Sequence, residues 1–538
     1  MTTVLRPALV WKEVRGLGST WLTAAALLVA VGFVETGLDT AGRQLTVLFY
    51  VGACALLGAL SIGQEFADRT LAGLLAQPAA RSSMLLHKLG VVAAMLLALG
   101  GLAWAYGLTP LAVARAWPEI SPTGRVLATV LPFLGGVLLT PCLTLLTRSA
   151  LAGCVFTIAL SFAMVIGSQA AVPWLYGDAA TLAQANARFL DVFVHTMLAV
   201  VVLSALLMWR LFMRLEAIEG RGLQLHLPAW LFKPRVHLAA ARSARSVWQQ
   251  MLGKELHLQQ LTFVVSGLYV AAWLAVVLVG ESLFPTRRAA YMTVATLLHA
   301  GAIPLLAGSL ASAEERQLGT LSWQVLLPIA AWRQWAVKAA LVLVLSLGLA
   351  IGVPAILYSL FASGPGPIRL DWPLAAAIAA VATLSLYASS LSTNGVRALV
   401  ASIPVVFVAA RTMDVMSSWM PLAWYLPNTT WAVLYAASAA VFAWLLWLGM
   451  KNHGSAERGA KRVLKQVALL GAVAVVAMLA FAAAYRAEVL APRRNFDERI
   501  RTPVAFEVES RFRDARGAKV GRPLRGATRT PTNWAERG

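Results

Sequence analysis

Two short stretches of the chain carry similar charged and polar residues in the same order. Each has a glutamate, a threonine five positions later, then a proline, a basic residue and a lysine. Their members are Glu65, Asp68, Arg69, Thr70, Pro78, Arg81 and Lys88 in the first stretch, and Glu315, Thr320, Pro328, Arg333 and Lys338 in the second. Glu65 and Glu315, like Lys88 and Lys338, are separated by 250 positions (315 − 65). Glu65 and Asp68 fall in the first turn of a predicted short helix, where carboxylates complement the helix dipole, and we expect Lys88 to lie at the water edge of the next apolar stretch. The recurrence of the same polar residues favours docking on a partner.

The sequence gives no indication of catalysis. It contains no HExxH or GxSxG motif and no phosphate-binding loop of the form GxxxxGK[ST]. The three cysteines Cys54, Cys142 and Cys154 are not spaced as metal ligands with histidine, and we expect free thiols. We therefore predict no catalytic residue, no metal site and no ATP hydrolysis by this chain.

Composition predicts an all-α polytopic membrane protein. Hydrophobic residues make up 59% of the 538 residues and charged residues 13%, against about 25% in ordinary soluble domains. Apolar stretches of about 20 residues, the length that crosses a bilayer as a helix, recur along the chain. The net charge of +21 does not indicate nucleic-acid binding, because Lys and Arg cluster in loops between the apolar stretches.

Hydropathy predicts two tandem six-helix halves in parallel orientation and a thirteenth helix. The thirteen predicted spans are 20–36, 45–63, 89–113, 125–147, 149–172, 190–212, 260–280, 289–312, 338–361, 372–391, 396–413, 430–450 and 466–485. This divides the chain into a first half (1–212), a cytoplasmic linker with an interfacial helix (213–258), a second half (259–450), a basic loop with the extra helix (451–485) and a basic, partly disordered tail (486–538).

Loop charge predicts the orientation. Basic residues are concentrated before the first span, in the linker and after span twelve, and an even number of spans separates these segments. Positive loops stay on the cytoplasmic side, so we predict a cell-membrane (inner-membrane) protein with a cytoplasmic N-terminus.

A second pair of matching residues precedes each half. Lys12-Glu13 and Lys254-Glu255 both lie just before a first span, 242 positions apart (254 − 12). The surrounding segments, Leu5–Arg15 and Val247–His257, mix apolar and charged residues, as interfacial helices do. The alternative is that each segment is a cytoplasmic extension of its span.

The repeated stretch resembles the motif of type-2 ABC exporter permeases. In that family the loop between the second and third helices carries a coupling helix that docks on a separate ATPase. The resemblance implies a double-length permease that pairs with two ATPase subunits, which supply ATP hydrolysis. The two stretches differ at Arg69 against Gly319 and at Arg81 against Ala331, which predicts unequal docking sites. The alternative is that both loops are connectors that only tie the spans together.

Two charged pairs near the outer ends of spans are candidate pathway residues. Asp191 and His195 lie four residues apart, and Arg411 and Asp414 three apart, so each pair shares a helix face. Each is either a functional polar pair or a hydrated interfacial pair. His299, inside the eighth span, is interpreted as a helix–helix hydrogen bond.

Two other functions remain open at this stage. One is a secondary transporter driven by an ion gradient, although mid-span charges are scarce. The other is a membrane scaffold whose tail, 486–538, binds a partner on the outer side. The sequence does not reveal a substrate.

Overall fold

The computed structural model describes residues 7–36, 43–77, 79–105, 122–176, 182–215, 247–283, 285–319, 329–361, 372–419, 428–453 and 460–490. The predictions for Pro78, Thr320 and Pro328, for the centre of the linker (216–246) and for most of the tail (491–538) lie outside these ranges.

Helices make up all the regular structure of the described residues. In the first half they are α1 (Pro7–Thr36), α2 (Arg43–Ala67), α3 (Leu71–Leu75), α4 (Arg81–Ala105), α5 (Pro122–Leu134), the π-helical segment π1 (Gly135–Leu139), α6 (Thr140–Thr147), α7 (Ala150–Tyr176) and α8 (Leu182–Met213). The rest of the chain forms α9 (Val247–Leu258), α10 (Gln260–Leu283), α11 (Pro285–Leu318), α12 (Ala331–Leu347), π2 (Gly348–Gly352), α13 (Val353–Phe361), α14 (Trp372–Leu391), α15 (Gly395–Trp419), α16 (Asn428–His453) and α17 (Ala460–Leu490).

The prediction of a multi-pass, all-helical membrane protein is confirmed. Within the described residues, ten helical segments are long and apolar enough to cross a membrane. They cover the first ten predicted spans. The last three predictions, 396–413, 430–450 and 466–485, fall on α15, α16 and α17, where many side chains lie outside the described set.

The two predicted interfacial helices differ. The N-terminal segment and the first span form one continuous helix, α1. This segment is therefore an extension of the span, which was the alternative to an interfacial helix. By contrast, α9 ends at Leu258 and α10 begins at Gln260. The junction residue Gln259 is buried, and its side-chain amide donates to the Ala307 carbonyl at 2.9 Å. This bond ties the junction to α11.

Among the described segments that could span a membrane, α2 and α11 are the most enclosed. Of the 18 most apolar consecutive residues, 72% are buried inside the protein in α2 and 67% in α11. Glycine allows the close approach: a Cβ on Gly58 of α2 would overlap the Gly136 carbonyl oxygen, and one on Gly308 of α11 would collide with Ser385. Small residues at such contacts are how membrane helices pack without a hydrophobic driving force between them.

Two π-helical segments interrupt the spans, π1 within the fourth and π2 within the ninth. A π turn widens the helix and alters its hydrogen-bond pattern. In π2 the carbonyl of Leu349 accepts a hydrogen bond of 3.0 Å from Nε2 of His299 on α11. The prediction that His299 bonds to a neighbouring helix is confirmed.

Candidate functional site

The first cluster is formed by Lys12, Glu13, Glu65 and Lys88, at the adjoining ends of α1, α2 and α4. The Nζ of Lys88 lies 2.6 Å from Oε1 of Glu13 and 2.9 Å from Oε1 of Glu65. Lys12 approaches the same Glu65 oxygen at 3.0 Å. Lys88 also donates to the Ser61 carbonyl at 3.3 Å, so three helices meet at one ammonium group.

The second cluster, Lys254, Glu255, Glu315 and Lys338, lies where α9, α11 and α12 meet. The Nζ of Lys338 is 3.0 Å from each carboxylate oxygen of Glu255 and 2.8 Å from Oε2 of Glu315. Lys254 lies 2.6 Å from Oε1 of Glu315. Lys338 also donates to the Ala311 carbonyl at 2.6 Å. Ala311 follows Ser61 by 250 positions (311 − 61), the same separation as Lys338 from Lys88.

Each cluster balances two carboxylates with two ammonium groups. The inner lysines are enclosed, with side-chain exposures of 3% for Lys88 and 0% for Lys338, whereas Lys12 (45%) and Lys254 (34%) reach solvent. A charge this deeply buried is tolerated only when it is paired and hydrogen-bonded. Each cluster therefore fixes its three helices relative to one another.

This burial changes the role of the repeated charges. Glu65 and Glu315, with 1% and 0% of the residue exposed, present almost no surface to a partner, and neither do Lys88 and Lys338. They hold the ends of the spans from which the two loops emerge. Their direct role is therefore to hold the base of each loop, and any docking contact must come from the exposed residues of the loops.

Glu255 lies in α9, outside the spans, and its environment disfavours charge. Burial raises the pKa of its carboxyl from 4.5 to about 7; the Lys338 ammonium opposes that shift and the Glu315 carboxylate adds to it. The cause is the loss of hydration in an enclosed site that holds two carboxylates around one lysine.

The first loop starts from its cluster. Thr70, just before α3, donates its hydroxyl hydrogen bond to Oε2 of Glu65, which fastens the loop to the end of α2. In α3, Leu74 is buried under the loop while Ala72 and Gly73 are exposed. The loop therefore presents a small, smooth helical surface. The matching residues of the second loop, 320–328, lie outside the described set.

Both loops turn at the same place. Arg69 and Gly319, 250 positions apart (319 − 69), have positive φ angles of 57° and 72°. Gly adopts this left-handed conformation without steric cost, whereas a residue with a Cβ is disfavoured there. The difference predicted from sequence is therefore one of strain in the first loop, on a shared backbone turn.

The two loops lie on the same face of the protein. A recess of about 330 Å³ is lined by Asp68 and Arg69 from the first loop, by Arg316 and Gly319 from the second, and by Asn394 before α15, among others. Residues of both loops therefore lie close together, and their common side of the membrane stays a prediction.

The basic residue after each loop is used differently. Arg81 donates from Nη1 to the Met213 carbonyl at 2.7 Å and joins α4 to the end of α8. Arg333 is exposed, with its guanidinium 5.3 Å from the ring of Trp332. The predicted inequality of the two loops therefore extends to these arginines.

The second cluster has a further layer of side chains around it. His453, from the end of α16, is buried against Trp335, with ring centroids 5.7 Å apart. Next to it, Asn452 and Gln466 exchange amide hydrogen bonds of 2.8 and 3.0 Å, which join α16 to α17. Tyr387 of α14 donates to the same Gln466 side chain at 3.0 Å. The thirteenth predicted span is thereby attached to the second half through buried polar groups.

The candidate pathway pairs lie away from both clusters. His195 is exposed, and its Nδ1 bonds to the backbone carbonyl of Asp191 at 2.6 Å, one helical turn back. Arg411 and Asp414 lie on α15, but their side chains are outside the described set. Neither arrangement decides between a pathway and an interfacial role.

Several members of the site escaped sequence analysis. The carbonyl groups of Ser61 and Ala311 bind the inner lysines, and backbone acceptors leave no signal in residue type. The side-chain amide of Gln64 donates to Glu13 at 3.2 Å. The position 250 residues later is occupied by Glu314, so this contact is not repeated in the same residue type. Only the 250-residue separation could have pointed to these positions.

Comparison with family models, with curated proteins and with solved structures finds no match to this chain. Within the described residues, no group of three or more His, Cys, Asp or Glu side chains could hold a metal ion. The fold and the two clusters therefore carry the functional argument.

Proposed function

We propose that this chain is the permease subunit of an ATP-driven ABC exporter, built from two tandem six-helix halves. The single observation that carries the proposal is the duplicated cluster. Two lysines and two glutamates pack together twice, each time beside the loop that follows Glu65 or Glu315, and residues of both loops line one recess.

Further matching positions support the tandem repeat. The close-packed glycines Gly58 and Gly308 and the left-handed turns at Arg69 and Gly319 share the separation of 250 residues found for the clusters. Chance similarity of composition does not explain equal contacts at equal spacing. The halves would be related by an axis along the membrane normal, with a path between them.

The shape of the first loop supports docking. A simple connector needs no attachment to a buried ion-pair cluster, but a loop that transmits force does, and Thr70 fastens the start of α3 to Glu65 of the first cluster. α3 is anchored by Leu74 on one side and exposes Ala72 and Gly73 on the other, which suits insertion into a groove of a partner. We propose that two separate ATPase subunits bind at the two loops and hydrolyse ATP, since no such motif occurs in this sequence.

The decisive experiment is purification of the tagged chain from its native membrane in mild detergent, with ATPase activity measured per mole of chain. The test variant is Gly73→Trp, because a Cβ at Gly73 meets no atom within 4 Å and the larger ring would project from α3. We expect the associated activity to fall by at least about tenfold, which corresponds to about 1.4 kcal/mol of lost binding.

Gly90→Trp is the matched control. Gly90 is also exposed, meets no atom within 4 Å and lies on α4, away from the loop surface. It should leave the associated activity unchanged. Purification without any ATPase at every detergent strength would refute the proposal. Transport by vesicles that contain this chain alone, driven by an ion gradient, would establish the secondary-transporter alternative in its place.

A further inference from the structure

A second recess, of about 550 Å³, lies at the edge of the first span and between the two halves. Its cationic lining comes from Lys12 and Arg15 of α1 and Arg397 of α15, and its aromatic wall is Trp11. The lining also includes the carboxylates of Asp68 and of the buried Glu65, which is paired with Lys12. The volume is in the range of sites for small polar ligands.

Two of the three cations are available to a ligand. Lys12 is paired with Glu65 in the first cluster. Arg15 is exposed and has no hydrogen bond or ion pair with any described residue. The guanidinium of Arg397 is also exposed, and within the described residues its one hydrogen bond goes to the Thr393 hydroxyl, at 3.0 Å.

The recess also faces the lipid boundary. Trp11, 68% exposed, lies near the N-terminal end of the first segment that is apolar enough to cross a membrane, and tryptophan at the end of a span favours the membrane interface. Arginine forks match phosphate oxygens in a bidentate manner, and basic pockets between spans recognise anionic headgroups. Asp68 has an exposed carboxylate that can accept hydrogen bonds from headgroup hydroxyls.

We infer that this recess binds the phosphodiester headgroup of an anionic phospholipid, with Arg15 and Arg397 on the phosphate and the indole of Trp11 against the lipid. Because Arg15 and Arg397 belong to different halves, a bound lipid would bridge α1 and α15. The inference requires only that the chain lies in a membrane, and it stands without an ATPase partner.

The test uses the full chain in nanodiscs of phosphatidylcholine with added phosphatidylglycerol. Retained lipid is counted by native mass spectrometry, and phosphatidylglycerol binding is measured by titration. The test variant is Arg15→Ala/Arg397→Ala, and the matched control is Arg210→Ala/Arg214→Ala, two exposed arginines at the end of α8 outside the recess. We expect about tenfold weaker binding for each recess arginine removed, and no loss in the control.

Arg15→Lys/Arg397→Lys keeps the charge without the guanidinium fork and should bind with intermediate affinity, which separates specific contacts from misfolding. Equal losses in the recess and control variants would overturn the inference, because they indicate general charge attraction. Inorganic phosphate is added in a separate arm. If phosphate binds through Arg15 and Arg397 while phosphatidylglycerol does not, the site serves a soluble anion and the lipid assignment is wrong.

Discussion

Replacement of Lys338 by methionine tests whether the second cluster holds the helices together. The variant removes the ammonium group that lies within 3.0 Å of both Glu255 and Glu315. Glu315 keeps Lys254 at 2.6 Å, but the buried Glu255 loses its cation. Above about pH 7, where the Glu255 carboxyl is ionised, removal of one partner from this buried ion pair should cost about 3–5 kcal/mol, because the remaining charge is left in a site without water.

Lys12→Met is the control. Lys12 is 45% exposed, and Glu65 keeps the buried Lys88 at 2.9 Å when Lys12 is lost. A partly exposed ion pair contributes up to about 1 kcal/mol, so this variant should remain close to wild type. If Lys338→Met is much less stable than Lys12→Met, the loss comes from the burial of the ion pair and not from the removal of a positive charge alone.

A second-site change completes the test. Glu255→Gln added to Lys338→Met removes the unpaired carboxylate and leaves the Lys254–Glu315 pair balanced. The double variant should regain at least about 1.5 kcal/mol relative to Lys338→Met, a coupling typical of residues in contact. The assay is reversible unfolding in mixed detergent micelles, with helix content as the signal. Equal stability of Lys338→Met and Lys12→Met, or no recovery in the double variant, would refute the reasoning.

Three further predictions use the same unfolding assay. Gly319→Ala should lower the free energy of unfolding by about 1 kcal/mol, because φ at Gly319 is 72°. Arg69→Gly should be neutral or stabilising, because φ at Arg69 is 57° and glycine adopts it without strain. Equal losses of stability would contradict the left-handed turns. Because the pKa of Glu255 is raised, its contribution to stability is complete below pH 4.5 and is lost as pH rises through about 7. The wild type should therefore lose stability relative to Glu255→Gln over this pH range. A difference in stability that does not change with pH would exclude the raised pKa. Gly58→Leu should lower the free energy of unfolding by at least about 3 kcal/mol or prevent folding, because even a Cβ at this position overlaps the Gly136 carbonyl oxygen. A variant that folds with wild-type stability would show that α2 and π1 are not in close contact.

Hydropathy was sufficient for the class of fold, an all-helical multi-pass membrane protein. A span requires about 20 apolar residues whatever its neighbours are, so its signal is local in the sequence. The spacing of Glu65 and Lys88 against Glu315 and Lys338 also identified the residues of the two clusters. It did not reveal their contacts, because Lys88 and Glu13 are separated by 75 positions and meet only when α1, α2 and α4 pack.

The burial of the repeated charged residues was not predicted from the sequence. The family resemblance implied a docking role for the loops that carry the repeated charges, yet Lys88 and Glu65 are enclosed. A lysine next to an apolar stretch looks the same in sequence whether it faces water or a carboxylate. The π segments were also invisible, since the Gly135–Leu139 sequence is as apolar as an ordinary span.

The π2 segment holds one residue more than a regular α-helical turn, so it sets the rotation of the part of the ninth span that follows it. A change within Gly348–Gly352 that restored regular α-helix at unchanged length would rotate everything beyond it by about 100° relative to the part before it. The Tyr358 hydroxyl, now 3.3 Å from the Thr296 hydroxyl, would then face a different neighbour, while the end that carries Lys338 would keep its place. The segment thus acts as a spacer that sets the half of the span around Tyr358 independently of the end that holds the ion pairs.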